Sequence, residues 1–395
     1  MSFLKKIIMD RRITFCIPSK NNLRYLKSSI TSIKENSNND NDIVVYVDAD
    51  NDGTVDWLKE NGIRYLVNET NIAKGIAYGY NRCIEVANTP IVCMFHADMY
   101  MGKGFDMAIL KYLKPLTVVS GTRIEPPLHP SGLEKIVKDF GMYPEDFKKA
   151  EFDEYVADMI EHSKDVTTQG IFAPWAIYKE DITSIGMHDE SFHSYHEDSD
   201  IFNRFILNDY QIVQTWEALV YHLTCRGGQF QDGIDKVTTD VVFHKMKNNA
   251  FRNYVRKWGC FVKNNEYQYP IIPHTYNVKF KVTNCDIKFL EILEPWCGNI
   301  DLDMSDSDIA TYIEYEQSNT NINLKDKINN KNSDNDIVVK FNAKELSNDS
   351  FQFITQLSEI FDANELECGN YQFGIYNIEV KKIHHLENNL INCNN

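Results

Sequence analysis

Long apolar runs are missing from this chain of 395 residues. Its longest blocks, such as Ile43–Val47 and Ile91–Phe95, fall far short of the roughly 18–20 residues that a membrane-spanning helix needs. A surplus of basic charge is missing too: 41 Lys and Arg face 57 Asp and Glu, for a net charge of −16. That balance argues against nucleic acid or an anionic membrane as partner, because both attract proteins through net positive charge. The nine cysteines run from Cys16 to Cys393 without one CxxC spacing. An odd, scattered set fits neither a disulfide framework nor a zinc cluster, and a reducing compartment is expected. The opening MSFLKKIIMDRR is too charged for a signal peptide, so a cytoplasmic location is expected with it.

What is present is a foldable composition, 43% hydrophobic and 12% aromatic, enough for one large domain and a smaller one. Charge divides the chain. Residues 275–395 hold 10 basic and 20 acidic side chains, leaving 31 and 37 of the totals for residues 1–274. Between the two parts stands Pro270-Ile271-Ile272-Pro273, whose prolines restrict the backbone as a linker does. Two domains are therefore expected, 1–274 and 275–395. The Asn-rich stretches Asn36–Asp42 and Asn329–Asp336 read as exposed loops within them.

The first hundred residues alternate strand and helix. β-Branched runs at Ile13–Ile17, Ile43–Val47, Ile63–Val67 and Ile91–Phe95 predict strands. Leu23, Leu26, Ile30 and Ile33 predict one intervening helix, and Ile76, Tyr80, Cys83, Ile84 and Ala87 another. This order predicts an α/β fold with parallel crossovers, in which ligands bind beyond the carboxyl ends of the strands. Those ends carry Pro18 and Asn21, then Asp48 and Asp50, then His96 and Asp98. Carboxylates converging at one sheet edge repel unless a cation or polar ligand lies among them, although each alone is also an ordinary turn former. The DADNDG stretch resembles the start of a calcium loop, but its twelfth position is Lys59 instead of a bidentate Glu.

Further along, Ile185-Gly186, Asp189-Glu190, Phe192, Glu197-Asp198, Asp200 and Arg204 follow one another in an order and spacing that resemble family 2 glycosyltransferases with the GT-A fold. Pro18, Asn21, the VDADNDGT stretch, Asn71 to Asn81, and His96-Ala97-Asp98 at the DxD position resemble the same family, so the likeness spans about residues 12–225. It implies a Rossmann-like, mostly parallel sheet flanked by helices, with a second, smaller α+β domain left outside it. It also implies a nucleotide-diphosphate sugar, expected to be a UDP-sugar, as donor, a carbohydrate or glycosylated acceptor, and inversion at the anomeric carbon. Asp198 is then the general base. Asp98 is the metal ligand, with His222 as a further one, and Mn²⁺ or Mg²⁺ is the ion. His in place of the first acid of DxD favours Mn²⁺, which tolerates nitrogen beside oxygen, although His96 is also placed to meet the ribose.

The remaining expectations concern donor and acceptor contacts. Pro18, Asn21, Asp48, Asp50, Asn71, Asn81 and His96 would line the nucleotide, and Arg226, followed by two glycines, would reach the diphosphate. Trp175 would stack on the acceptor beside Glu197. The basic helix bearing Arg252, Arg256 and Lys257 reads as a solvated face. In the last third, strands are predicted at Val278–Val282, Phe289–Leu293, Ile337–Phe341 and Phe373–Val380, with helices near Asp308–Gln317 and Phe351–Phe361. No motif there names a chemistry, and a module for acceptor, partner or a second copy of the chain, as in a homo-oligomer, is the default expectation. A GT-A domain that binds sugar or nucleotide without turnover is the competing reading. Nucleotidyl transfer would want a Gly-rich loop after the first strand, where this chain has IPSKNN.

Overall fold

The structure is a computed structural model that describes residues 10–70, 72–224 and 240–391. Two compact units share the chain. The first runs to His244 and includes Asn264–Pro270, and the second comprises Lys245–Lys263 and Ile271–Ile391.

In the first unit the strands are β1 (Ile13–Lys20), β2 (Asp42–Ala49), β3 (Arg64–Val67), β4 (Ile91–Met94), β5 (Met99–Met101), β6 (Thr117–Glu125), β7 (Lys135–Val137), β8 (Thr167–Thr168), β9 (Trp175–Tyr178) and β10 (Gln211–His222). They form one mostly parallel sheet, ordered β3-β2-β1-β4-β9-β6-β10-β5, with β7 on β6 and β8 on β10. Helices α1 (Leu23–Asn36), α2 (Thr54–Glu60) and α3 (Ile76–Val86) connect the parallel strands β1 to β4. Ile13, Phe15, Ile17, Val44, Val45, Val92 and Cys93 are fully buried. Neighbours along a strand point to opposite faces, so this sheet is covered on both sides, as the crossovers require. The expected α/β architecture, a mostly parallel sheet flanked by helices, is present.

Strand β6 escaped the sequence reading although all nine of its residues are buried. Its composition, TVVSGTRIE, hides a central strand behind Ser120, Thr122, Arg123 and Glu125, side chains that periodicity scores as surface. They are tolerated because each finds a partner, such as Ser120 Oγ donating to the Phe172 carbonyl at 2.8 Å and Thr122 Oγ1 to that of Thr215 at 3.0 Å.

The second unit is a five-stranded sheet, ordered β12-β11-β13-β15-β14, from β11 (Val278–Thr283), β12 (Asn299–Leu302), β13 (Ile337–Asn342), β14 (Gly369–Phe373) and β15 (Tyr376–Val380). Residues Phe289–Leu293, expected as a strand, belong to a helix, Ile287–Leu293. A short apolar run cannot distinguish the two periods, and Asp286 settles it as N-cap by accepting from the Phe289 N–H at 2.9 Å. The expected strand Phe373–Val380 is present from Tyr376 as β15, and its first residues belong to β14 and to the hairpin turn at Gly374, whose φ is +54°.

The basic helix Val241–Trp258 is not a solvated face along the side that carries its arginines. Arg256 is fully buried, its guanidinium on Glu294 at 2.5 Å and Glu316 at 2.5 Å, while Arg252 meets Glu316 at 3.0 Å and Lys327 meets Glu294 at 2.8 Å. Burial would raise the Glu294 pKa, but Lys327 and Arg256 outweigh it and hold the carboxyl ionised. Removing one member of such a network strands a buried charge, so Arg256→Ala should cost about 3–5 kcal/mol. Urea unfolding followed by circular dichroism would measure it, and a loss below 1 kcal/mol would contradict this role. These contacts also place Lys245–Lys263 with the second unit, ahead of the expected boundary near residue 275.

Candidate active site

Three strand registers assemble the site. Strand β4 ends at Met94, so His96 and Asp98 follow at its carboxyl end. The antiparallel pairing of β10 with β5 sets His222 opposite Met99, one residue beyond Asp98. The parallel pairing of β10 with β6 sets Tyr221 beside Ile124, which brings Glu125 next to His222. As a result His96, Asp98 and His222 each offer a ligand atom, all within 4.8 Å of one another.

His222 lies between two carboxylates. Its Nε2 is 3.5 Å from Asp98 Oδ1, and its Nδ1 is 2.8 Å from Glu125 Oε1. Burial would depress the His222 pKa, but Asp98 and Glu125 together lift it to about 9. Glu125 in turn is buried against Arg123 at 3.1 Å and Lys135 at 2.8 Å. Burial there is opposed by His222 and Arg123, which hold the carboxyl well below the usual range. His96 goes the other way. Burial first, then the neighbouring His222, lower its pKa to about 4, leaving a neutral imidazole.

The donor set decides whether a divalent cation fits. Two imidazoles and one carboxylate, all buried or half-buried, suit a transition-metal ion, Mn²⁺ or Zn²⁺ alike, better than Mg²⁺, which prefers an all-oxygen shell. The hydrogen bond from Nδ1 to Glu125 turns Nε2 toward Asp98, the arrangement by which a carboxylate orients a ligating histidine. Sequence reading missed Glu125 together with β6; the strand-end rule would have found it. Glu125→Gln should weaken Mn²⁺ binding roughly 10-fold or more, measured by calorimetry, and unchanged affinity would remove Glu125 from this role.

A second group of side chains lies around the ED pair. Helix α7 (Glu197–Leu207) begins after Tyr195 and His196, whose φ values of 71° and 66° are left-handed. Strained backbone of this kind persists where the surroundings over-determine it. Asp200 is fully buried and holds Arg204 Nε at 2.9 Å, and the guanidinium also donates to the carbonyls of Ile185 at 2.8 Å and Met187 at 2.5 Å. Asp200 and Arg204 are thus the staple that fixes the loop before α7. Asp198 stays half-buried, accepting from the Ser199 N–H at 2.6 Å. Glu197 presents an Oε2 that is shut off from solvent and has no hydrogen-bond partner among the described residues. Burial, and then Asp198, raise its pKa to about 8. The folded state therefore keeps a proton on Glu197 that the unfolded chain has released, and stability should fall as pH rises from about 4.5 toward 8. In Glu197→Gln that slope should flatten in thermal melts; an unaltered profile would contradict the protonated state.

The expected ligand contacts of Trp175 and Asn81 do not fit the structure. Trp175 is only 2% exposed and packs edge-on against Phe202 and Phe205 at 5.9 and 5.5 Å, so no face remains for an acceptor sugar. Asn81 is 2% exposed and spends both amide hydrogens on the His188 carbonyl and Glu190, each at 2.9 Å, so it ties α3 to the loop before α7 and has no donor left for a nucleotide. Asp48 accepts from the backbone N–H groups of Lys74 and Gly75 at 2.7 and 3.0 Å and from Asn68 at 3.0 Å. Asp50 accepts from Thr54 N at 2.7 Å, and Asp52 accepts from Thr54 N and Leu23 N, so both carboxylates are hydrogen-bonded to the backbone. Asn21, at φ 48°, accepts from Asn51 N at 2.8 Å, and Pro18 lies against Gly79, where a Cβ would come within 2.9 Å of its ring. Asn71 and Arg226 lie outside the described residues.

A sheet of this order, with carboxylate and imidazole at the ends of its strands, is an α/β arrangement with a candidate ligand site at the carboxyl edge of the sheet. Residues 14–147 match the family model for glycosyl transferase family 2. No curated protein matches the chain by sequence. Among solved structures, it is similar to TarS 1–349 of S. aureus in complex with UDP, at 13% identity, 62% of this chain, 74% of that one and a TM-score of 0.39. It is similar to GalNAc-T7 with UDP, GalNAc and Mn²⁺ at 11% identity, 62% of this chain, 48% of that one and a TM-score of 0.43. The mannosyltransferase PcManGT from Pyrobaculum calidifontis, in complex with GDP-Man and Mn²⁺, stands at 17% identity, 54% of this chain, 56% of that one and a TM-score of 0.38. Among the described residues no helix is long and apolar enough to cross a membrane.

Proposed function

We propose that the chain is an inverting, metal-dependent glycosyltransferase that moves a sugar from a nucleotide-diphosphate sugar, foremost a UDP-sugar, to an acceptor hydroxyl. The observation that carries this reading is the convergence of His96, Asp98 and His222 within 4.8 Å at the carboxyl end of the sheet, where an α/β fold binds its ligands. These residues would hold Mn²⁺, which when bound neutralises charge on the departing diphosphate. Glu125 holds His222 through Nδ1, and Arg123 and Lys135 keep Glu125 ionised. Asp198 accepts the acceptor's proton as its oxygen attacks the anomeric carbon from the face opposite the nucleotide, which inverts the configuration. Glu197, kept protonated by burial, is not available as the base. The second unit, separate in fold, is an accessory module for the acceptor, a partner or self-association.

The competing reading, a binding scaffold without turnover, leaves the buried Glu125–His222–Asp98 chain without a purpose. Release of nucleoside diphosphate from a panel of nucleotide sugars tests between them. Mn²⁺-dependent release, stimulated by an acceptor, is expected; donor binding without release under any condition would favour the scaffold.

A further inference from the structure

We propose that His274, His385 and Glu387 form a second metal site, for a transition-metal cation of the zinc class, which clips the segment around His385 onto the chain entering β11. The three residues lie in the second unit and each offers a ligand atom within 4.8 Å of the others. Their backbones are fixed on both sides. Tyr276 and His385 form an antiparallel bridge, and Leu386 N donates to the Thr275 carbonyl at 2.8 Å. Glu387 is 7% exposed. Its Oε2 accepts from Thr275 N at 3.0 Å, which leaves Oε1 facing His274 Nδ1 at 2.8 Å. One carboxylate oxygen is thus anchored by the backbone and the other is presented to an imidazole, as the supporting hydrogen bonds of a metal ligand are arranged.

The two imidazoles stack face to face, with centroids 3.7 Å apart and planes at 16°. Parallel rings do not aim their nitrogens at one point, so each must turn about its Cβ–Cγ bond to bring the donors to the spacing of about 3.3 Å that tetrahedral zinc demands. His274 has room to do so, its side chain being 46% exposed. Two imidazoles and one carboxylate select zinc and its neighbours over Mg²⁺ or Ca²⁺, which take oxygen shells. Three protein ligands on an accessible surface leave the fourth position to water. Ring stacking and the His274–Glu387 hydrogen bond alone also describe a closed clip, and metal binding distinguishes the two. The site is independent of the glycosyltransferase reading.

The test uses the full chain carrying Asp98→Ala and His222→Ala, which leaves His96 alone of the ligand trio in the first unit, after chelator treatment and dialysis. Calorimetry with Zn²⁺ should show one saturable equivalent, and Co²⁺ should give the intense visible absorption of a four-coordinate site. Adding His385→Ala or His274→Ala should weaken Zn²⁺ binding roughly tenfold or more and abolish the rise in thermal midpoint that Zn²⁺ produces. If the doubly substituted chain does not fold, the wild type should take up one equivalent more than His274→Ala. No saturable binding below millimolar Zn²⁺, or equal binding with and without the two histidines, would overturn the proposal.

Discussion

Replacing Asp198 by Asn should leave nucleotide affinity intact while sugar transfer falls by about 10²–10⁴-fold, the usual cost of losing a general base. The upper end is expected. Asp200, the nearest alternative, is fully buried and committed to Arg204, and Glu197 carries a proton up to about pH 8, so neither neighbour is free to accept one at neutral pH. The substitution is nearly isosteric, and the Ser199 N–H that Asp198 now holds is still accepted by the amide oxygen, so the helix start should survive. Calorimetry with the nucleoside diphosphate and product analysis on one preparation would separate the two effects. A variant that transfers at the wild-type rate would show that another group takes the proton; a variant that no longer binds donor would show that Asp198 belongs to the donor site.

The second large effect concerns the ion. Asp98→Ala should abolish transfer and weaken nucleotide binding in the presence of Mn²⁺, and EDTA should do the same to the wild type. His222→Ala should come close to it, because Nε2 of that ring faces Asp98 and, among the described residues, no fourth ligand joins His96, Asp98 and His222 in this group. His96→Asp is expected to retain activity and to shift preference toward Mg²⁺, since an oxygen then replaces a nitrogen donor. Product analysis across Mn²⁺, Mg²⁺ and EDTA measures all four outcomes, and full turnover in EDTA would remove the metal from the account.

How far these residues were legible in advance depends on what local pattern encodes. The βα alternation and the ends of β1, β2 and β4 follow from apolar periodicity, which is a property of each segment by itself. Asp98 and His222 follow from the same reasoning, since both stand just after or at the end of strands. The contact between them does not, for it depends on the register of β10 against β5, a pairing between segments more than a hundred residues apart. Glu125 was lost because a buried strand rich in Ser, Thr, Arg and Glu looks like surface until its partners are known. Trp175 and Asn81 show the opposite failure. Both residue types suit ligand contacts, but burial and fully used hydrogen bonds are decided by packing that no single segment reveals. In the ED region, Asp200 holds Arg204 four residues further on, a pairing that helix spacing alone makes available but that the reading of these residues as base and helix cap passed over.

The charge network of the second unit carries a related lesson. Arg252 and Arg256, one helical turn apart, look like a solvated basic stripe, yet Glu294 and Glu316, some 40 to 60 positions away, draw them into a largely buried ion-pair network. Composition counts charges without pairing them.

The central claim is that His96, Asp98 and His222 hold a cation through which a nucleotide-sugar donor binds. Titration of the full chain with UDP and GDP, in Mn²⁺ and in EDTA, tests it most directly. The account predicts saturable binding of a nucleoside diphosphate that requires Mn²⁺ and disappears in Asp98→Ala. Binding of equal strength in EDTA, or none of either nucleotide by a folded wild type in Mn²⁺, would contradict it.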